Sequence, residues 1–253
     1  MKKALFSIGR ILVGVYVGLC LLLFLGQRSM IYIPQPRGYR VGITLVTLHP
    51  DGQSVLVSTR PHDGDEALIY FGGNAEDVSY HMPEFSEAFP NAAIYLLHYR
   101  GYGGSSGAPT EKSLVSDALA LFDLVHSQHP NILVIGRSLG SGIAVQVASQ
   151  RPVARLVLIT PYDGLKDIAA REYPFLPVGI LIKDKYESWR YAPSITAPTL
   201  IIAAGNDEVV PRSSTDRLKT RFKEGVARYV VIPNVGHNTI SESQSYMTLI
   251  KSG

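Results

Sequence analysis

Two stretches of the chain fit the pattern G-x-S-x-G, Gly136-Arg137-Ser138-Leu139-Gly140 and Gly103-Gly104-Ser105-Ser106-Gly107. On a tight strand-to-helix turn this pattern exposes the serine hydroxyl as a nucleophile, and the glycines relieve the crowding. Only the first stretch has that setting: the apolar run 132–135 enters it, and a helical pattern over 141–149 leaves it. The second lies in a loop between Arg100-Gly101-Tyr102 and Ala108-Pro109, where turn geometry accounts for its glycines. Ser138 is therefore the expected nucleophile. The elbow also sets it at a helix start, where free N–H groups and the helix dipole favour negative charge. The backbone N–H of Leu139 is thus one expected donor to an oxyanion.

An aliphatic hydroxyl needs a positioned base. His237 follows an expected strand over 228–232 through the loop Pro233-Asn234-Val235-Gly236. Strand ends of this kind are where α/β sites assemble. Asp207 lies in Gly205-Asn206-Asp207-Glu208-Val209-Val210-Pro211, after an expected strand over 199–203. Serine, then acid, then histidine is the chain order of such elbows. The acid orients the imidazole and stabilises its charged form, and Glu208 is the nearest rival for that task. The second oxyanion donor is expected in Tyr70-Phe71-Gly72-Gly73-Asn74-Ala75, from the backbone N–H of Asn74, with Gly73 as the alternative.

These residues suit hydrolysis of a carboxylic ester or thioester through an acyl-serine. Amide or peptide cleavage would use the same three side chains with better acid catalysis by His237. A membrane-tethered binding module with an idle site is the non-enzymatic alternative. No metal or organic cofactor is expected. The aromatic and proline-rich stretch 160–198 would carry any lid. Within it Phe175, Leu176 and Val178 are candidates to line a pocket for a small-molecule or lipid-like acyl substrate; ordinary packing is the other reading.

The elements that must position these groups alternate along the chain. Strands are expected over 41–48, 54–60, 67–71, 92–97, 132–135, 155–159, 199–203 and 228–232. Helical patterns cover 114–127, behind Thr110 as N-cap, and 213–222, behind Pro211. Turns at Pro50-Asp51-Gly52 and His62-Asp63-Gly64 predict antiparallel pairing of the first strands. The later strands alternate with helices and predict parallel crossovers. The fold class is α/β with a mostly parallel sheet.

The chain has 253 residues, 46% apolar and 18% charged, with a formal charge of +3. That suits one α/β domain with a short appendage, and no basic stripe marks a nucleic-acid partner. The single cysteine, Cys20, rules out an intramolecular disulfide. Residues 4–25 are apolar except for Ser7 and Arg10, behind Lys2 and Lys3. A run of about 20 such residues spans a bilayer as a helix, so residues 1–27 are expected to form a single-pass anchor and 28–253 the catalytic domain. A cleaved signal peptide is the competing reading, but Gly26-Gln27-Arg28-Ser29-Met30 offers no convincing cleavage site. Lys2, Lys3 and Arg10 favour a cytoplasmic N-terminus and a domain outside the cytoplasm, a bias that Arg28, Arg37 and Arg40 weaken. Oligomeric state is not legible.

With these motifs in place, the sequence resembles the α/β-hydrolase superfamily, and more closely its small abhydrolase-domain serine hydrolases with an N-terminal membrane segment. The resemblance runs from about Met30 to the C-terminus. It rests on Gly72-Gly73-Asn74-Ala75-Glu76-Asp77, Tyr99-Arg100-Gly101-Tyr102-Gly103-Gly104-Ser105, the Ser138 elbow, Pro161-Tyr162-Asp163, the Asp207 loop and Gly236-His237. It implies an eight-stranded, mostly parallel sheet with helices on both faces and a short lid. It also implies esterase, thioesterase or peptidase-like activity. Members usually read His-Gly-Asn-Ala where this chain has Gly72-Gly73-Asn74-Ala75, which puts the pocket shape and the rate in question.

Overall fold

The computed structural model describes residues 2–38 and 43–252. Eight strands form one sheet: β1 (Thr44–Leu48), β2 (Val55–Arg60), β3 (Glu66–Phe71), β4 (Ala93–Leu97), β5 (Asn131–Arg137), β6 (Arg155–Ile159), β7 (Thr199–Ala204) and β8 (Ala227–Ile232). Their spatial order is β1-β2-β4-β3-β5-β6-β7-β8. The helices are α1 (Lys2–Ile31), α2 (Met82–Ala88), α3 (Glu111–His126), α4 (Leu139–Ala148), α5 (Leu165–Glu172), α6 (Val178–Leu181), α7 (Ser188–Tyr191), α8 (Arg212–Lys219) and α9 (Gln244–Ser252). Residues 41 and 42 of the first expected strand lie outside the described residues.

β1 pairs antiparallel with β2, as the Pro50-Asp51-Gly52 turn predicts. The His62-Asp63-Gly64 turn does not make a hairpin. β2 instead pairs antiparallel with β4, and β3 lies beyond it, parallel to both β4 and β5. The reason is burial. Residues 67–71 are buried on both faces of the sheet, and such a strand needs neighbours on both edges and helices above and below. A five-residue connection easily crosses one strand position, about 5 Å per strand.

The strands alternate sides. Ala67, Ile69, Phe71, Ile132 and Val134 pack with α3 and α4 in one core; Leu68, Tyr70, Leu133 and Ile135 pack with Phe85, Tyr246 and Ile250 in the other. The apolar positions of α3 at helical spacing, Leu114, Val115, Ala118, Leu121, Phe122 and Val125, are all buried. The helix begins a turn before residue 114 because Thr110 and Ser113 form a reciprocal cap, each side chain bonding the other's backbone N–H at 3.0 Å.

α1 continues four residues past the expected boundary at Gln27, and its last turns bind the β6–β7 connection. Gln27 bonds the carbonyl of Leu181 and the N–H of Lys183, and Arg28 pairs with Asp184 at 2.9 Å. That connection, residues 160–198, carries α5, α6 and α7 as a short cap. Its base is tied to the start of α3. Glu111 accepts the N–H groups of Lys185 and Tyr186, while Asp184 accepts the N–H of Glu111.

Candidate active site

β5 runs directly into Ser138, which sits at φ 47° and ψ −115° as the residue before α4. A non-glycine residue at positive φ is strained and holds its side chain out of the turn. Two glycines make the turn possible. A Cβ on Gly140 would lie 2.0 Å from the carbonyl oxygen of Phe71, and one on Gly136 would meet the Cβ of Ala144 at 2.6 Å.

The loops after β7 and β8 bring two further side chains to this serine. His237 Nε2 lies 2.9 Å from Ser138 Oγ, and His237 Nδ1 lies 3.0 and 2.9 Å from the two oxygens of Asp207. Asp207 is held in turn, since its Oδ1 accepts the N–H groups of Val209 and Val210 at 3.0 and 2.7 Å. Glu208 meets the backbone of His237, accepting its N–H at 3.0 Å, and leaves the ring to Asp207. Asp163 is bonded to Ser214 and Arg217.

Ser105, the other candidate serine, is buried; its hydroxyl donates to the His98 carbonyl and accepts from Leu56 N–H. Its loop needs its glycines, because Gly103, Gly104 and Gly107 all have positive φ.

The loop after β3 lies beside Ser138: a Cβ on Gly73 would be 3.7 Å from that of Ser138. The Gly73 N–H donates to Glu76 at 2.7 Å, so it is already engaged. Asn74 is clamped through its side chain, which donates to Ile31 O at 2.6 Å and accepts from Ile33 N–H and Tyr102 hydroxyl. Gly72 fits without the histidine expected from related sequences, because a Cβ there would already lie 2.5 Å from Val78 Cγ1.

Sequence reasoning missed the brace behind these loops. Arg137 donates to Glu76 Oε2 at 2.8 Å, Tyr70 donates to Oε1 at 2.6 Å, and His81 Nε2 lies 3.0 Å from Oε1. The signal was available: an arginine ending a buried strand inside G-x-S-x-G needs an anionic partner. Burial opposes the Glu76 charge, but the bond and charge of His81, the charge of Arg137 and the Tyr70 bond outweigh it. They hold the carboxyl down at about 2. Burial also pulls the His81 imidazole down, yet its bonds to Glu76 and Glu84 raise it to about 9.

His98 behaves in the opposite way: burial lowers it to about 4. The His81 contribution to stability is complete below its ordinary value of 6.5 and is lost as pH rises through about 9. The His98 contribution is complete above 6.5 and is lost as pH falls through about 4. The melting temperature should therefore peak near pH 6.5. In melts from acid to alkaline pH, His81→Gln should lower the peak, flatten the alkaline limb and also soften the fall at the acid end, because His81 helps to hold the Glu76 carboxyl down. An unchanged alkaline limb would refute this assignment.

Of the three expected pocket residues, Leu176 and Val178 line an apolar cleft between the cap and α1, together with Leu23, Met30, Ile31 and Ile182. Phe175 does not: it is 88% exposed at the tip of the cap, where the chain turns Leu176 inward and leaves its neighbour outside. Ile31, in one wall of the cleft, also accepts the Asn74 amide from the loop after β3 through its carbonyl.

Comparison with known proteins agrees with this architecture. Residues 66–185 match the family described as alpha/beta hydrolase fold. The uncharacterized protein Rv2307c of Mycobacterium tuberculosis is 35% identical over 240 residues, covering 87% of this chain and 84% of that protein. The chain belongs to the α/β-hydrolase fold family. Protein bem46 of Schizosaccharomyces pombe is 24% identical over 244 residues, covering 88% of this hydrolase-fold chain and 80% of that protein. The solved structure of the Pyrococcus furiosus esterase Pf2001 superposes with a TM-score of 0.70 at 18% identity, covering 87% of this chain and 97% of that one. At that identity the likeness concerns the α/β-hydrolase fold alone.

Proposed function

We propose that this protein is a serine hydrolase that cleaves a carboxylic ester or thioester through an acyl-serine intermediate, at a membrane to which α1 anchors it. The observation that carries the proposal is the relay in which one face of His237 meets Ser138 and the other meets Asp207. Ser138 Oγ attacks the acyl carbonyl as its proton passes to His237 Nε2. The Asp207 carboxylate holds Nδ1–H and stabilises the imidazolium. The Leu139 N–H, first in α4, and the Asn74 N–H receive the charge that develops on the carbonyl oxygen. His237 then protonates the departing alkoxide or thiolate, and water repeats the sequence to release the acid and restore Ser138.

Anchoring is supported by α1, a helix whose stretch Leu5–Ile31 is long and apolar enough to cross a membrane. The cleft lined by Leu176 and Val178 is suited to the acyl chain, because its walls are apolar.

The test is a fluorophosphonate probe followed by an acyl series of esters and thioesters. Each methylene that enters the cleft should add roughly 0.8 kcal/mol, about a fourfold gain in kcat/KM, until the cleft is full. Leu176→Trp should move the plateau to shorter chains, and Phe175→Ala should leave it in place for substrates offered in solution. A probe-inert protein would refute the serine chemistry. A flat chain-length response in a probe-reactive protein would refute only the acyl cleft.

A further inference from the structure

We infer that the tip of the cap, residues 173–181, is embedded in the bilayer leaflet on the domain side of α1, so that lipid covers Phe175 and Ile180. This rests on the reading of α1 as a membrane span and goes beyond it, since an anchor alone would leave the whole cap in water.

The argument is one of depth. A hydrocarbon core of about 30 Å takes about 20 helical residues. A span starting at Leu5 therefore ends near Phe24, and one starting at Ile11, past the charge of Arg10, ends near Met30. On either choice Tyr16 lies inside the core, at least eight residues or about 12 Å below the domain-side boundary. Yet the Tyr16 hydroxyl donates to the carbonyl of Phe175 at 2.9 Å. Helical side chains lean towards the helix N-terminus, so this contact lies at or below the level of Tyr16 itself. The cap tip cannot stand above the membrane while it touches that residue.

The chemistry of the cap changes at the matching level. Among the described residues, the charged cap side chains that meet α1 do so at Phe24 and beyond: the Lys183 ammonium sits 3.9 Å from the centre of the Phe24 ring, and Asp184 pairs with Arg28. Towards Tyr16 the cap offers Phe175, 88% exposed, and Ile180, 85% exposed, an outward placement that water penalises and lipid does not. Its backbone is also suited to a medium without water, where unpaired N–H groups are costly. Pro174 and Pro177 have no N–H to satisfy, and the N–H groups of Tyr173, Leu176, Val178, Ile180, Leu181 and Ile182 bond to nearby carbonyls, with Phe175 and Gly179 the exceptions in this segment. Arg171 and Glu172, exposed at the end of α5, limit how deep the tip can lie.

The experiment uses the full chain with Cys20→Ser and one new cysteine in each variant: Phe175→Cys, Ile180→Cys, Leu12→Cys within α1, or Leu124→Cys on α3. Each is labelled with an environment-sensitive fluorophore in phosphatidylcholine vesicles and quenched by doxyl-labelled lipid or by aqueous iodide. Positions 12, 175 and 180 should be quenched severalfold more by lipid than by iodide, and position 124 the reverse. Lipid quenching at 12 with iodide quenching at 175 and 180 would overturn the embedded tip and leave the anchor intact. Iodide quenching at 12 would overturn the anchor and the proposal together. Protection of 175 and 180 from both quenchers would place them under a second copy of the chain and also overturn it.

Discussion

Ser138→Ala should abolish labelling by a fluorophosphonate and lower ester turnover by roughly six orders of magnitude, the scale seen when a serine acting in concert with its base is removed. Ser105→Ala should keep both the label and most of the turnover. The contrast follows from what each hydroxyl already does. Ser138 Oγ faces His237 Nε2 at 2.9 Å from a strained turn at the start of α4. Ser105 Oγ bridges the His98 carbonyl and the Leu56 N–H inside the protein. Losing that bridge leaves buried polar groups unpaired, which costs about 1–3 kcal/mol of stability. Ser105→Ala should therefore melt earlier and still label. Labelling that survives Ser138→Ala and disappears in Ser105→Ala would reverse the assignment.

Asp207→Asn should lower turnover by about four orders of magnitude, because an amide in place of the carboxylate presents the wrong tautomer of the base to the serine. Glu208→Gln should cost far less, since a glutamine oxygen can still accept the backbone N–H of His237. The two substitutions are isosteric neighbours, so steady-state kinetics on the pair separates an orienting acid from a loop brace. Equal and mild effects would mean that the acid lies elsewhere. Both variants should fold, since an asparagine oxygen can still accept from Val209 and Val210.

The legible parts of this molecule are those whose signal is local. Residues 132–135 are continuously apolar and end in Gly136, so a buried strand, its turn and the outward serine can be read from nine consecutive residues. The loops of Asp207 and His237 can be read in the same way, as breaks after apolar runs. The place of β3 could not be. Its turn from β2 looks like a hairpin, and only the distant helices that cover both of its faces force β4 between them. Phe175 misled for a related reason: an aromatic residue in a lid suggests a pocket wall, and its sequence holds no record of the helix lying against it. The partnership of Arg137 with Glu76 spans 61 residues, so neither residue announces the other.

The bonds between α1 and the cap bear on how this protein can be handled. Cutting the chain after Gln27 looks like the removal of a dispensable tether. It would keep Arg28 for Asp184 and Ile31 for Asn74. It would also strip Leu23 and Gln27 from one wall of the cleft and leave Leu181 O and Lys183 N–H without their partner. Leu176, Val178 and Leu181 would then face water across the gap. A shortened protein of this kind gains an adhesive apolar strip where it was meant to gain solubility, and it calls for detergent or added polar substitutions along that strip.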